Sequence, residues 1–401
     1  MGLERLVRHL ESQEANRAFK TLPVMGLNLA GTGVRKAVPV LPGVPVRRGW
    51  VIAAVLAPID RNRTSGDPPV KIRALSLLIP FAAAACDQAP TLASAEVAPF
   101  AVSYDVPVSA QGFLTGADGM QLFYRVYGSG PDTAVVLGGG PALPISYFEQ
   151  DLAPLARGRT LIFFDARGAG KSQLTTNPAL LAMDRHVADL EAVRAHFGLG
   201  PMKLVGHSWG AMVAAFYAAA HPQHVDRMVL VTPGPREAKY DAELDAERQS
   251  RTDPLVLQRQ FELAGLLLGG QSQDPVADCT ELVGSLFAVY FHDAANRSNM
   301  HGALCPQTPD AASLLLLGMF AGRGSLGPDF NLAPMLAGIQ APALVIHGAS
   351  DVIPAASSSG YAEALPNASL RILQGSGHFP WAEEPVAFFS AVNTFLRRGN
   401  L

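Results

Sequence analysis

The chain has 401 residues, of which 49% are hydrophobic and 16% charged, with a formal net charge of -3. That length exceeds one ordinary domain and falls short of three, so a single large α/β domain with extensions is the default reading. The composition excludes a disordered chain, and the near balance of acids and bases gives no footprint for nucleic acid.

Charge is nonetheless uneven along the chain. Residues 1–69 hold ten Lys/Arg against five acids, giving +5, whereas the remainder holds 21 bases against 29 acids, giving -8. This first stretch has scattered Pro and Gly, no sustained period and one short apolar run near Val51 to Ile59. It is expected to be a disordered upstream extension from a start assigned too far upstream, the natural initiator corresponding to Val70.

Residues 70–86 read differently. Lys71 and Arg73 precede an apolar run from Ala74 to Ala85, broken only by Ser76 and Pro80, and Cys86 follows. A basic n-region, a short apolar h-region and small residues at its end make a secretory signal. Twelve residues are too few to span a bilayer as a helix, which needs about 20. Ala83-Ala84-Ala85-Cys86 resembles the lipobox of bacterial lipoproteins, which implies lipidation of Cys86 and membrane anchoring on the extracytoplasmic, periplasmic side. The competing reading is a buried helix in a cytoplasmic protein that does not use the signal. Residues 87–109, with Ala, Pro and Ser and no period, read as a tether.

From 110 onward strands and helices alternate. "GFLTGADGMQLFYRVYGSG" alternates apolar residues around Asp118-Gly119, the pattern of a β-hairpin. "DTAVVLGGGP" is a strand running into a glycine turn, and "RTLIFFDARGAGKS" is a second buried strand. Val187, Leu190, Val193 and Phe197 have helical spacing, with Gly198 and Gly200 beyond them. "MKLVGHSWGAMVAAFYAAAHP" is strand, sharp turn and helix. Such alternation predicts an α/β fold with a mostly parallel central sheet and flanking helices. Core is expected over 110–233 and 335–401, with a helical cap inserted at 234–334, where Leu255, Leu257, Phe261, Leu263 and Leu266 begin a set of apolar helical positions. Cys279 and Cys305 fall in that cap. They are either a disulfide, worth roughly 3 kcal/mol by loop closure, or two buried free thiols.

Gly206-His207-Ser208-Trp209-Gly210 matches the nucleophile elbow G-x-S-x-G, with glycines where strand and helix must approach closely. A serine needs a base, and the base an orienting acid; on this architecture the order is Ser, then Asp or Glu, then His. Asp351 follows the strand Ala343 to Ile346, and His378 follows Leu370 to Leu373, so Ser208, Asp351 and His378 are the predicted triad. His207 and His347 are rivals for the base, and Glu383 and Glu384 for the acid; His221, before Pro222, reads as a helix terminus. The oxyanion hole is assigned to the N–H groups of Trp209 and Gly140, with Gly139 as second choice. No H-E-x-x-H or clustered Cys/His spacing implies a metal, no cofactor is expected, and "GAGKS" lacks the first glycine of a P-loop.

Together, "VVLGGGPA", "FFDARGAGKS", "LVGHSWGA", "HGASD" and "GSGHFPWAEEP" resemble an α/β-hydrolase of the prolyl aminopeptidase type over roughly residues 110 to 399. The resemblance implies a serine hydrolase acting through an acyl-enzyme on short peptides. The chain departs from the family pattern at Gly138, Ala142 and Ala166, where the family has His, Gly and Gln. Its tryptophans are Trp50, Trp209 and Trp381, so the W-x-x-W-E segment that binds a substrate amine in the family's cap is missing. Glu243, Glu247, Glu262 and Glu281 are the acids the cap offers instead. An esterase or other small-acyl hydrolase, and an inactive lipid-anchored binding protein, remain the alternatives. The expected partners are a small-molecule or short-peptide substrate and the membrane; oligomeric state is not legible.

Overall fold

The computed structural model describes residues 102–397. The stretch 1–69, the signal-like segment with Cys86, and most of the 87–109 tether lie outside the described residues. Eight strands form one sheet: β1 (Val108–Thr115), β2 (Gln121–Tyr127), β3 (Asp132–Leu137), β4 (Arg159–Phe164), β5 (Met202–His207), β6 (Val225–Val231), β7 (Ala343–Gly348) and β8 (Ala368–Leu373). Their spatial order is β1-β2-β4-β3-β5-β6-β7-β8. β2 runs antiparallel to β1 and β4, and every later pairing is parallel. The first hairpin turns where Asp118 (φ 57°) and Gly119 (φ 88°) take the left-handed conformation, which Gly adopts freely and Asp tolerates.

The central strands are apolar on both faces, as a parallel sheet covered on both sides requires. Ala134 and Val136 of β3 join one core cluster while Val135 and Leu137 join the other, following the period of two along a strand. Helices α1 (Met183–His196) and α2 (Trp209–Ala220) pack into the second cluster through residues such as Leu190 and Ala214. On α2 the side chains of Ala211, Ala214, Ala215 and Ala218 are fully buried. These small residues both favour helix and let it lie close to the sheet.

Between β6 and β7 stand α3 (Ala238–Arg251), α4 (Pro254–Leu268), α5 (Pro275–Ala288) and α6 (Pro309–Gly324). Three of these begin at a Pro in the first helical position, where its missing N–H is no loss. Asp253 and Asp274 cap two of them by accepting the Leu255 and Ala277 N–H groups. Leu263, Leu282 and Leu315 bury α4, α5 and α6 in the first core cluster, while Leu244 of α3 packs with Val352 and Ile353. Leu255 and Phe261, which the spacing also placed on α4, are 76% and 69% exposed. Cys279 of α5 and Cys305 form a disulfide, with Cα atoms 6.0 Å apart. The inserted segment starts and ends side by side: Ala238 N–H donates to the Phe330 carbonyl at 2.9 Å and Leu332 N–H to that of Arg236 at 3.0 Å, around a bridge between Glu237 and Asn331. Two further helices, α7 (Ala355–Ala364) and α8 (Pro385–Arg397), complete the second half of the core.

Candidate active site

Ser208 sits between β5 and α2 with φ 53° and ψ -115°. A non-glycine residue held there costs on the order of 1–3 kcal/mol, so its surroundings must enforce it. Ser208 N–H donates to the Val231 carbonyl at 2.9 Å, and its own carbonyl accepts from Ala211 and Gly234, each at 3.1 Å. A Cβ at Gly206 would stand 2.4 Å from the Gly210 oxygen, and one at Gly210 would stand 2.4 Å from the Leu137 oxygen. Glycine is therefore required at both ends of the turn, and the turn leaves Ser208 half-buried at the carboxyl end of β5.

Asp351 and His378 come from the loops after β7 and β8. Asp351 Oδ2 lies 2.8 Å from His378 Nδ1, and its Oδ1 accepts the Ile353 N–H at 3.1 Å. Both side chains are buried, His378 being 2% exposed. Main-chain contacts fix the histidine as well: its N–H donates to the Tyr290 carbonyl at 2.8 Å, and its carbonyl accepts from Thr232 Oγ1 at 3.1 Å. With Nδ1 held by the carboxylate, Nε2 is the ring atom left to exchange a proton. Among the described residues no hydrogen bond joins Ser208 Oγ to His378, a contact that in free enzymes is often long and tightens with substrate.

The rival groups have other work. His207 Nε2 lies 3.0 Å from the His378 carbonyl and its Nδ1 lies 2.6 Å from Tyr147 Oη. A carbonyl only accepts, so the proton sits on Nε2, and Nδ1 accepts from the Tyr147 hydroxyl. Burial, and then the neighbouring His378, hold the His207 pKa well below its ordinary value. His347 is buried and joined to Ser358 at 3.0 Å, and burial lowers its pKa as well. Glu383 accepts the Gly377 N–H at 2.6 Å and the His292 N–H at 2.8 Å, and Glu384 accepts the Gly375 N–H at 3.0 Å. These two acids brace the loop that carries His378 and do not touch its ring. His221 caps the end of α2.

The glycine turn after β3 corrects one expectation. Gly139 N–H donates to Tyr147 Oη at 2.7 Å, so that amide is not available to an oxyanion. The N–H groups of Gly140 and Trp209 have no acceptor among the described residues. Tyr147 was invisible in the sequence, an aromatic in the apolar stretch "PISYF" with no motif around it. It links the glycine turn to His207, and through His207 to the backbone of His378. Its own loop is pinned by Asp165, whose Oδ1 accepts the Ile145 N–H at 2.7 Å and whose Oδ2 accepts the Lys171 N–H at 2.8 Å. Burial raises the Asp165 pKa to about 6.

The inserted helices close over this turn. Met319 Cε of α6 would lie 3.3 Å from a Cβ on Gly140, and Gly322 is required where α6 meets Pro141 and the Trp209 ring. The Tyr290 ring packs against the His378 ring at 5.2 Å. The acids offered by sequence are elsewhere: Glu243 is exposed, Glu247 pairs with Arg251, and Glu262 and Glu281 pair with Arg259 on the surface. A cavity of about 560 Å³ is lined by Tyr104, Arg125, Glu149 and His301 among others, and by no residue of the predicted triad.

The family model described as alpha/beta hydrolase fold matches residues 135–385. The proline iminopeptidase of Heyndrickxia coagulans is 26% identical over 294 residues, covering 71% of this chain and 98% of that protein. That of Levilactobacillus brevis is 27% identical over 295 residues, covering 69% and 93%. Among solved structures, an alpha/beta fold family hydrolase from Bacillus anthracis superimposes with a TM-score of 0.57 at 18% identity, covering 72% of this chain and 99% of that one. The proline iminopeptidase of Mycobacterium smegmatis gives 0.51 at 18%, covering 72% and 97%. At these identities the structural likeness concerns the fold.

Proposed function

Since the chain belongs to the alpha/beta hydrolase fold family, we propose that it is a serine hydrolase working through an acyl-enzyme, and that it releases N-terminal residues from short peptides as a prolyl aminopeptidase does. The observation that carries the reading is the buried Asp351 to His378 contact of 2.8 Å at the strand ends beside the strained Ser208. His378 Nε2 takes the Ser208 proton as Oγ attacks a carbonyl carbon, and Asp351 stabilises the imidazolium. The oxyanion is held by the Trp209 and Gly140 N–H groups, the first at the positive end of the α2 dipole. His378 then gives its proton to the leaving group, whose bond to the carbonyl carbon breaks. Water, deprotonated by the same nitrogen, releases the acid and restores Ser208.

A second reading is supported by the cap. With no W-x-x-W-E segment, and with Glu262 and Glu281 tied to Arg259, nothing identified there takes a substrate amine, which favours an esterase or other small-acyl hydrolase. The deciding measurement is kcat/KM of the purified protein, with Ser208→Ala as control, on a proline anilide, its N-acetylated form and a short acyl ester. Preference for the free amine supports the peptidase; ester turnover with neither anilide cleaved overturns it. If no substrate turns over and Ser208 fails to react with a fluorophosphonate, the inactive binding protein is the correct reading.

For location, the reading is a lipid anchor at Cys86 on the extracytoplasmic face, with a small molecule or short peptide as substrate and no nucleic acid partner. No helix among the described residues is long and apolar enough to cross a membrane. Lipid labelling that persists in Cys86→Ser would overturn the anchor.

A further inference from the structure

A cluster of metal-binding residue types lies away from the predicted triad, where no sequence motif marks it. Glu191 projects from α1, His221 ends α2, and His224 closes the short turn that follows. Their ligand atoms all lie within 4.8 Å of one another, and all three residues are half-buried. We propose that these three side chains bind a divalent transition-metal ion of the zinc class.

Two imidazoles and a carboxylate are the donors such ions take in tetrahedral sites, at about 2.0–2.2 Å from the metal. Ligand atoms around such an ion stand roughly 3.3 Å apart by tetrahedral geometry. His224 Nδ1 already lies 3.2 Å from Glu191 Oε2, so an ion can replace the single proton now between them. Only His221 has to approach, and its ring lies nearly parallel to that of His224, with 7° between planes and centroids 5.8 Å apart. The backbone is already set: Pro222 follows His221, and His224 N–H donates to the His221 carbonyl at 2.9 Å. The histidines also follow the C-terminus of α2, the negative end of its dipole, which favours a cation.

The carboxylate has the outer partners that such ligands need. Tyr217 Oη donates to Glu191 Oε2 at 2.6 Å. Arg194 Nη2 donates to Oε1 at 2.7 Å and its Nε to Oε2 at 2.9 Å. Arg194 is also the competitor, since its charge opposes a cation; moved wholly onto Oε1, it leaves Oε2 facing the imidazoles. The 12 residues of α2 separate the site from Ser208 by about 18 Å at 1.5 Å per residue. The ion is therefore a staple between α1 and the far end of α2, and it takes no part in the reaction at Ser208.

The test is titration of the chelator-treated full chain with Co²⁺, followed by Zn²⁺. The expected result is one saturable equivalent with the intense visible bands of four-coordinate cobalt, displaced by zinc. His221→Gln and His224→Gln should each weaken binding by roughly a hundredfold or more, beyond what losing an outer partner does, and Arg194→Gln should tighten it. A second readout needs no variant: zinc should protect His221 and His224 from diethyl pyrocarbonate while the exposed His292 and His301 stay reactive. A faint six-coordinate cobalt spectrum unchanged by the substitutions, or equal modification with and without zinc, overturns the proposal.

Discussion

At Gly206, Gly210 and Gly139 one added methyl group would meet an atom at 2.4, 2.4 and 2.8 Å, whereas on α4 Leu255 and Phe261 stand mostly in solvent. The acids differ in the same way. Asp351 and Asp165 are buried and satisfied by named N–H groups, while Glu262 and Glu281 share one exposed arginine. The difference teaches where a change can be absorbed. The core loops hold each group by several short contacts and tolerate almost none; the inserted helices hold a continuous apolar seam and leave their outer faces open. The two regions still meet at His378, whose N–H is held by the carbonyl of Tyr290 from the inserted segment.

The contrast can be broken most severely at Asp351. Asp351→Asn keeps the shape but removes the charge that fixes the His378 tautomer, and kcat should fall by roughly 10⁴-fold, with circular dichroism unchanged. An equal rate in the variant would show that another acid serves. A protonation effect comes next. His186 is fully buried, and burial lowers its pKa to about 4 from about 6.5 in the unfolded chain. Folded and unfolded forms bind protons alike above 6.5, so its contribution is complete there; it is lost as pH falls through about 4, to the extent of roughly 3 kcal/mol. Asp165, with its pKa raised to about 6, acts with the opposite sign and loses its contribution as pH rises through about 6. His186→Gln should therefore gain Tm relative to the parent as pH is lowered from 6.5 to 4; a constant difference would show that His186 is solvated.

Tyr147→Phe comes third. It strands the Gly139 N–H and His207 Nδ1 in the interior, which should cost about 1–3 kcal/mol, read as a lower Tm, and should reduce kcat by about tenfold with KM little changed. Unchanged kcat would show that the turn is fixed without the hydroxyl. Least of all should follow from Glu281→Gln, which opens an exposed pair on α5; neither Tm nor kcat/KM should move measurably. A large loss of activity there would transfer part of the site to the outer face of the cap.

Much of this was legible because it is local. Strands such as Ala343 to Ile346 are continuous apolar runs, and Ser208, Asp351 and His378 are polar residues just past strand ends in a fixed order. What escaped depends on distance along the chain. Tyr147 and His207 are 60 residues apart, and glycine spacing shows that backbone must come close at 138–140 without telling which amide is already taken. Helical periodicity marked Leu255 and Phe261 as apolar positions, but it does not say whether anything covers them. Glu191 lies on α1 and His221 just past the end of α2, and their meeting depends on how both helices pack on the sheet. Two cysteines in one inserted segment allowed a disulfide or free thiols with equal reason, and only the folded distance decides.

The bridge between Glu237 and Asn331 has a use beyond closing the cap. Because chain enters and leaves α3 through α6 across a single pair of backbone hydrogen bonds, the whole insert is a cassette. Transplanting the corresponding stretch of another alpha/beta hydrolase at those two residues would ask the sheet to accept no new register. The exchanged module would have to bring its own equivalents of the Tyr290 carbonyl and the His292 N–H, which hold His378 and the loop that carries it from the cap side.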